Sequence, residues 1–140
     1  MEIQKLIKTA NSLVAGYKGI LAMDESNPTC NKRFAALGIP QTEEARRAWR
    51  GMIVTTPGLS DCINGAILYD ETIRQTLTDG TAFIQAVTDA GIIPGIKVDG
   101  GAKDMAGHPG EKITEGLDGL RANGSTNIPK WASVSRSGVP

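Results

Sequence analysis

The stretch Gly19-Ile-Leu-Ala-Met-Asp-Glu-Ser-Asn-Pro-Thr-Cys-Asn-Lys-Arg33 begins as a short apolar run, Gly19 to Met23, and passes through Asp24 into a polar segment. Continuous apolar runs of this length are the pattern of parallel strands buried on both faces, and the Asn27-Pro28 pair marks departure into a loop. A strand ending near Asp24 delivers a carboxylate at its C-terminal end. Further on, Gly91-Ile-Ile-Pro-Gly-Ile-Lys-Val-Asp-Gly100 repeats the device with a lysine, since Lys97 is enclosed by Ile96 and Val98.

Between the two lies Cys62-Ile-Asn-Gly-Ala-Ile-Leu-Tyr69, a third buried run closed by Asp70-Glu71. Helices fill the intervals. Ile3, Leu6, Ile7, Ala10, Leu13 and Val14 recur at three- and four-residue steps, on one face of an N-terminal helix over 1–16 that Gly16 can close. Thr42 reads as an N-cap with Glu43 and Glu44 in the first turn, and Ala45, Ala48, Trp49, Met52 and Ile53 form the apolar face before Pro57-Gly58. After the turn at 78–80, Phe83, Ala86, Val87 and Ala90 line a further helix that ends at Gly91.

Strand, helix, strand, helix, strand in that order implies an α/β fold with a parallel sheet and right-handed crossovers. Beyond Asp99 the glycines at 100, 101, 107 and 110 predict a long loop. A helix over about Glu111 to Arg121 follows, weakened by Gly116 and Gly119 at roughly 0.5 to 1 kcal/mol each. Residues 123–129 carry turn chemistry, and 130–134 is a short fourth strand.

With 140 residues the chain falls in the size range of one domain. It is short of the roughly 200 to 250 residues of a closed eight-stranded α/β barrel. Fifteen basic and fifteen acidic side chains leave no net charge and no basic stripe, which argues against a nucleic-acid partner. Cys30 and Cys62 stand alone without a histidine cluster, so neither a metal site nor a disulfide framework is expected. No signal peptide or run of some 18 apolar residues is present, which predicts a cytoplasmic protein with no membrane partner.

Asp24, Asp70, Glu71, Lys97 and Asp99 all fall at C-terminal ends of predicted strands, where α/β enzymes gather their chemistry. Strand ends are also polar because the chain is leaving the core. Lys97 carries more information, since an ammonium in apolar surroundings either reaches water and an anion or sits desolvated, and both suit a sugar-phosphate site. An ion pair with Asp24 is the structural alternative. Ser26, Thr29, Lys32 and Arg33 offer hydroxyls and cations able to hold a phosphate. His108, in a Gly/Pro loop, reads as exposed and non-catalytic, and Trp49 and Trp131 as core residues.

Six segments in order carry a resemblance: Gly19 to Ser26, Lys32-Arg33, Thr42 to Arg47, Gly65 to Thr72, Gly91 to Asp99 and Glu115 to Leu120. They resemble class I fructose-bisphosphate aldolase, nearest in spelling to bacterial and plastid-type members. The resemblance implies a TIM (β/α)8 barrel, of which these residues are about the first half, roughly four βα units within a single partial domain over 1–140. It implies cleavage of fructose 1,6-bisphosphate in glycolysis by a lysine Schiff base, with no metal or other cofactor and a homo-oligomeric intact protein. Asp24 is similar to the family's proton-transferring aspartate and Lys97 to the lysine that holds substrate phosphate and hydroxyl. Ser26 and Thr29 match the distal phosphate site, Arg33 the other phosphate site, and Lys130, beside Trp131, the lysine that assists cleavage. The Schiff-base lysine belongs to the family's second half, so the 140 residues alone are expected to be inactive. The alternative is a non-catalytic aldolase-like module that binds sugar phosphates or a protein partner, with unpaired outer strands that favour self-association.

Overall fold

The computed structural model describes residues 2–115. In chain order the elements are α1 (Glu2–Leu13), a 3-10 turn (Ala15–Tyr17), β1 (Gly19–Leu21), α2 (Asn27–Ala36), α3 (Glu43–Val54) and α4 (Leu59–Cys62). They continue as β2 (Ile63–Leu68), α5 (Asp70–Arg74), α6 (Phe83–Asp89), β3 (Ile93–Ile96), β4 (Gly101–Asp104) and β5 (Lys112–Glu115). The fourth strand expected at 130–134, with Lys130 and Trp131, lies outside the described residues.

The three apolar runs form one parallel sheet in the order β1-β2-β3. Leu21 lies beside Ala66 in the first pair, and Gly65 to Leu68 lie beside Ile93 to Ile96 in the second. The Lys97 amide adds one more bond, donating to the Leu68 carbonyl at 2.9 Å. Alternation along β2 places Ile63, Ala66 and Leu68 in the core. There they meet Phe83 and Val87 of α6 and Ile92 before β3, all nearly inaccessible to water. α6 packs against β3, α3 and α5, closing one side of the sheet.

Local chemistry explains several boundaries. Thr42 caps α3 by accepting the Ala45 amide at its hydroxyl, 3.2 Å away. Gly16 takes a left-handed φ of 65° just past α1, as a helix-terminating glycine does. At Gly65 an added Cβ would lie 2.5 Å from Leu13 Cδ2, so the missing side chain lets α1 approach the sheet.

The structure departs from the sequence reading in four places. Asn27-Pro28 is not loop but the first turn of α2, where a proline lacking N–H is tolerated and presets φ. The apolar stripe of α1 is largely solvent-facing, with Leu6 at 70% exposure, because α1 meets the sheet through its last turn. On α3 the buried residues are Arg46, Arg50 and Val54, while Trp49 is 45% exposed rather than a core residue.

The fourth departure lies in the second of two compact units, which begins at Val98. Instead of entering a helix at Glu111, Lys112–Glu115 pairs antiparallel with Gly101–Asp104. Gly107 and Gly110, both at positive φ, shape the connecting turn, and His108 within it is exposed, as its setting suggested. The β-branched Ile113 and Thr114 suit an extended strand, and the rest of the helix expected to about Arg121, with the turn residues 123–129, lies outside the described residues.

Burial predicts an asymmetric mutational response. Leu68→Ala removes a fully buried side chain and is expected to cost about 2 to 5 kcal/mol. Leu6→Ala, at an exposed position, should stay within about 0.5 kcal/mol. Urea unfolding of both variants measures the difference.

Candidate active site

Parallel strands end at the same edge of a sheet, so their terminal residues gather there. Asp24 lies three residues beyond β1, Tyr69 follows β2 directly and Lys97 follows β3 directly. The Leu68–Tyr69 peptide joins them. Its carbonyl accepts the Lys97 amide at 2.9 Å, and its N–H donates to Asp24 Oδ2 at 2.6 Å. The main chain of β2 thus connects the carboxylate after β1 to the lysine after β3.

The other Asp24 oxygen, Oδ1, accepts Arg50 Nε at 2.8 Å, with both side chains almost wholly buried. Asp24 is thus ion-paired with Arg50, a partner the sequence reading did not name, and Lys97 is half-buried. The same guanidinium donates through its second nitrogen to Glu71 Oε1 and through its third to Asn27 Oδ1 at 3.0 Å. Its carbon stands 6.0 Å from the centre of the Tyr69 ring.

Arg46, one turn earlier on α3, grips Glu71 with two bonds, Nε to Oε1 at 2.9 Å and Nη2 to Oε2 at 2.8 Å. It also donates to Asn31 Oδ1 at 2.9 Å, and Asn27 Nδ2 donates to Glu71 Oε2 at 2.7 Å. Two carboxylates and two guanidiniums form this cluster, so its formal charge cancels. The hydrogen bonds from Arg46 hold the Glu71 carboxyl down to about 2, opposed by burial and aided by Arg50. The Arg46 guanidinium is correspondingly shifted up, first by its bonds to Glu71. Burial pushes the neighbouring Cys30 thiol up, partly offset by the two arginines.

The remaining expected residues lie at α2. The Ser26 and Thr29 hydroxyls are 3.1 Å apart at its start. Arg33, in its last turn and largely exposed, forms an ion pair with Glu25. Asp70 pairs with Arg74 along α5, and Asp99 Oδ1 accepts the Gly101 amide at 3.0 Å. Among the described residues no group of metal-binding side chains is assembled and no helix is long and apolar enough to cross a membrane.

Arg46, Arg50, Asn27 and Asn31 are the site residues that sequence reasoning passed over. A signal was available: Arg46 and Arg50 stand four apart, on one face of α3, with Val54 four further on. Chemically, an aspartate whose two oxygens each accept one bond still has lone pairs open to a further donor. A lysine held by the same peptide supplies a cation for an anionic or hydroxyl-bearing ligand.

A family model described as Fructose-bisphosphate aldolase class-I matches residues 5–134. The chain is 60% identical over 144 residues to a probable fructose-bisphosphate aldolase class 1 of Xanthomonas campestris pv. campestris, covering 99% of this chain and 43% of that protein. It is 45% identical over 136 residues to chloroplastic fructose-bisphosphate aldolase 3 of Arabidopsis thaliana, covering 93% of this chain and 35% of the relative. A solved structure of fructose-bisphosphate aldolase from Plasmodium falciparum, in complex with TRAP and a small-molecule inhibitor, superposes with a TM-score of 0.80 at 42% identity. That match covers 86% of this chain and 35% of the other. The chain thus spans less than half the length of these relatives.

The Glu71 shift fixes a pH dependence. A depressed carboxyl stabilises the fold fully above the unfolded value near 4.5, and that contribution is lost as pH falls through about 2. Stability measured between about pH 5 and 2 should fall more steeply than in Glu71→Gln. At neutral pH that variant should be less stable by about 3 kcal/mol, because it leaves buried guanidinium charge uncompensated.

Proposed function

The chain belongs to the class-I fructose-bisphosphate aldolase family and carries part of its TIM-barrel fold, and from that premise we propose that it serves aldol cleavage of fructose 1,6-bisphosphate to dihydroxyacetone phosphate and glyceraldehyde 3-phosphate. The reaction is glycolytic and cytoplasmic, proceeds through a lysine Schiff base and uses no metal. The observation that best supports this reading is the meeting of Asp24 and Lys97 on one peptide of the central strand.

In this reading the Asp24 carboxylate moves protons as the carbinolamine forms and collapses. Its fixed position allows that, because proton transfer needs a group held within hydrogen-bond reach. Lys97 binds substrate phosphate and hydroxyl as a cation. Ser26 and Thr29, already adjacent, take the distal phosphate, and Arg33 takes the other on release from Glu25. Lys130, outside the described residues, assists cleavage at the central hydroxyl.

None of the lysines assigned here is the imine-forming one. Without an iminium as electron sink, carbon–carbon cleavage lacks its covalent step. The 140 residues by themselves are therefore proposed to bind sugar phosphate without cleaving it, and the complete activity to belong to a homo-oligomer of full-length chains. In support, the chain matches only 43% of the Xanthomonas relative.

Incubation of the chain with fructose 1,6-bisphosphate and borohydride should leave no lysine adduct in the mass spectrum. An adduct would overturn the assignment of the covalent step elsewhere. Asp24→Asn and Lys97→Ala should each weaken fructose 1,6-bisphosphate binding by about tenfold, the loss of one charge-assisted hydrogen bond. Calorimetry that finds unchanged affinity in either variant removes that residue from the site.

A further inference from the structure

We propose that Arg50 is a positioning residue for Asp24, setting the direction of its carboxylate through a guanidinium anchored on α2 and α5. The proposal rests on the aldolase reading of Asp24 and adds a residue to it.

Every nitrogen of Arg50 is committed, and each to a different residue. Nε binds Asp24 Oδ1, Nη1 binds Glu71 Oε1 and Nη2 binds Asn27 Oδ1. Because the guanidinium is planar, fixing two of its nitrogens fixes the direction of the third. Glu71 and Asn27 thereby orient the Nε–H bond, and that bond orients Asp24. Glu71 is itself held from the far side by Arg46, so the anchor does not rotate freely.

Asp24 is then clamped between two donors on opposite oxygens, Arg50 Nε and the Tyr69 amide. One donor alone would leave the carboxylate free to turn about χ2, a broad torsion. Two donors, one from α3 and one from the residue after β2, define one orientation of the buried carboxylate. Stability alone is a poor reason for such a group, since a buried ion pair is often no better than apolar side chains of the same volume.

Lysine separates positioning from charge, because one ammonium keeps the cation but cannot reproduce the planar three-way anchor. In Arg50→Lys the Tyr69 amide should lose at least tenfold of its protection from solvent exchange, read by NMR on the 140-residue chain. The Lys97 amide, bonded to Leu68, should keep its protection. Affinity for fructose 1,6-bisphosphate should fall at least fivefold. Asn27→Ala, which frees one nitrogen while retaining Arg50, should produce the same changes at smaller size, and it decides the matter if Arg50→Lys does not fold.

An unchanged Tyr69 amide in the folded variants overturns the proposal. Equal loss of protection at Lys97 also overturns it, since Arg50 would then support the whole sheet edge rather than Asp24. If the unmodified chain does not bind fructose 1,6-bisphosphate, the sugar-phosphate reading of the 140 residues fails. The Tyr69 amide still reports independently whether Arg50 sets Asp24.

Discussion

The buried pairing of Arg50 with Asp24 and Glu71 is the interaction on which the polar end of the sheet depends. Moving a lone guanidinium or carboxylate from water into a protein interior costs several kcal/mol even after relaxation, so neither would persist there singly. Here Asp24, Glu71, Arg46 and Arg50 cancel one another, and Asn27 and Asn31 take up further donors and acceptors. The cluster ties together the chain leaving β1, the first turns of α2, the inner face of α3 and the start of α5. Removing one charge leaves an opposite one uncompensated, so these four elements are coupled through the cluster.

That cluster also explains an inversion on α3. An amphipathic helix ordinarily turns its apolar stripe inward, and Ala45, Ala48, Trp49 and Met52 form such a stripe. In the structure the opposite face, with Arg46, Arg50 and Val54, is buried. Two carboxylates waiting at the ends of β1 and β2 make the arginine face the better complement. A hydrophobic pattern taken one helix at a time cannot register this, because the deciding term is a pairing between residues 21 to 26 positions apart.

How much was legible follows the same division between local and distant causes. The three strands could be read because a continuous apolar run is a local signal, which Ile63 to Leu68 or Ile93 to Ile96 supply, but the full burial expected with it holds mainly for β2, since Gly19 and Ile20 of β1 are exposed and β3 is half-buried. The Thr42 cap was equally local. Asp24 and Lys97 were visible as charges abutting such runs, and the family motifs pointed to the same pair. Arg50 was hidden because nothing next to it in sequence explains it. The helix expected from Glu111 gives way over Lys112–Glu115 for a local reason given too little weight: glycines at 107 and 110 favour a turn, and the segment after them pairs with Gly101–Asp104.

The central strand carries the consequence of this arrangement. β1 and β3 flank β2 at two strand spacings, so the exits bearing Asp24 and Lys97 stand roughly 10 Å apart across the sheet. Asp24 is held by a guanidinium and an amide, and the Lys97 main chain is held by the Leu68 carbonyl. On the proposed aldolase reading Asp24 transfers protons, and a carboxylate in that role gains from being immobile, because small displacements in donor geometry cost much of its effect. On the same reading Lys97 recruits phosphate, a task that needs less exact placement, because Coulombic attraction tolerates displacement far better than a directed hydrogen bond does.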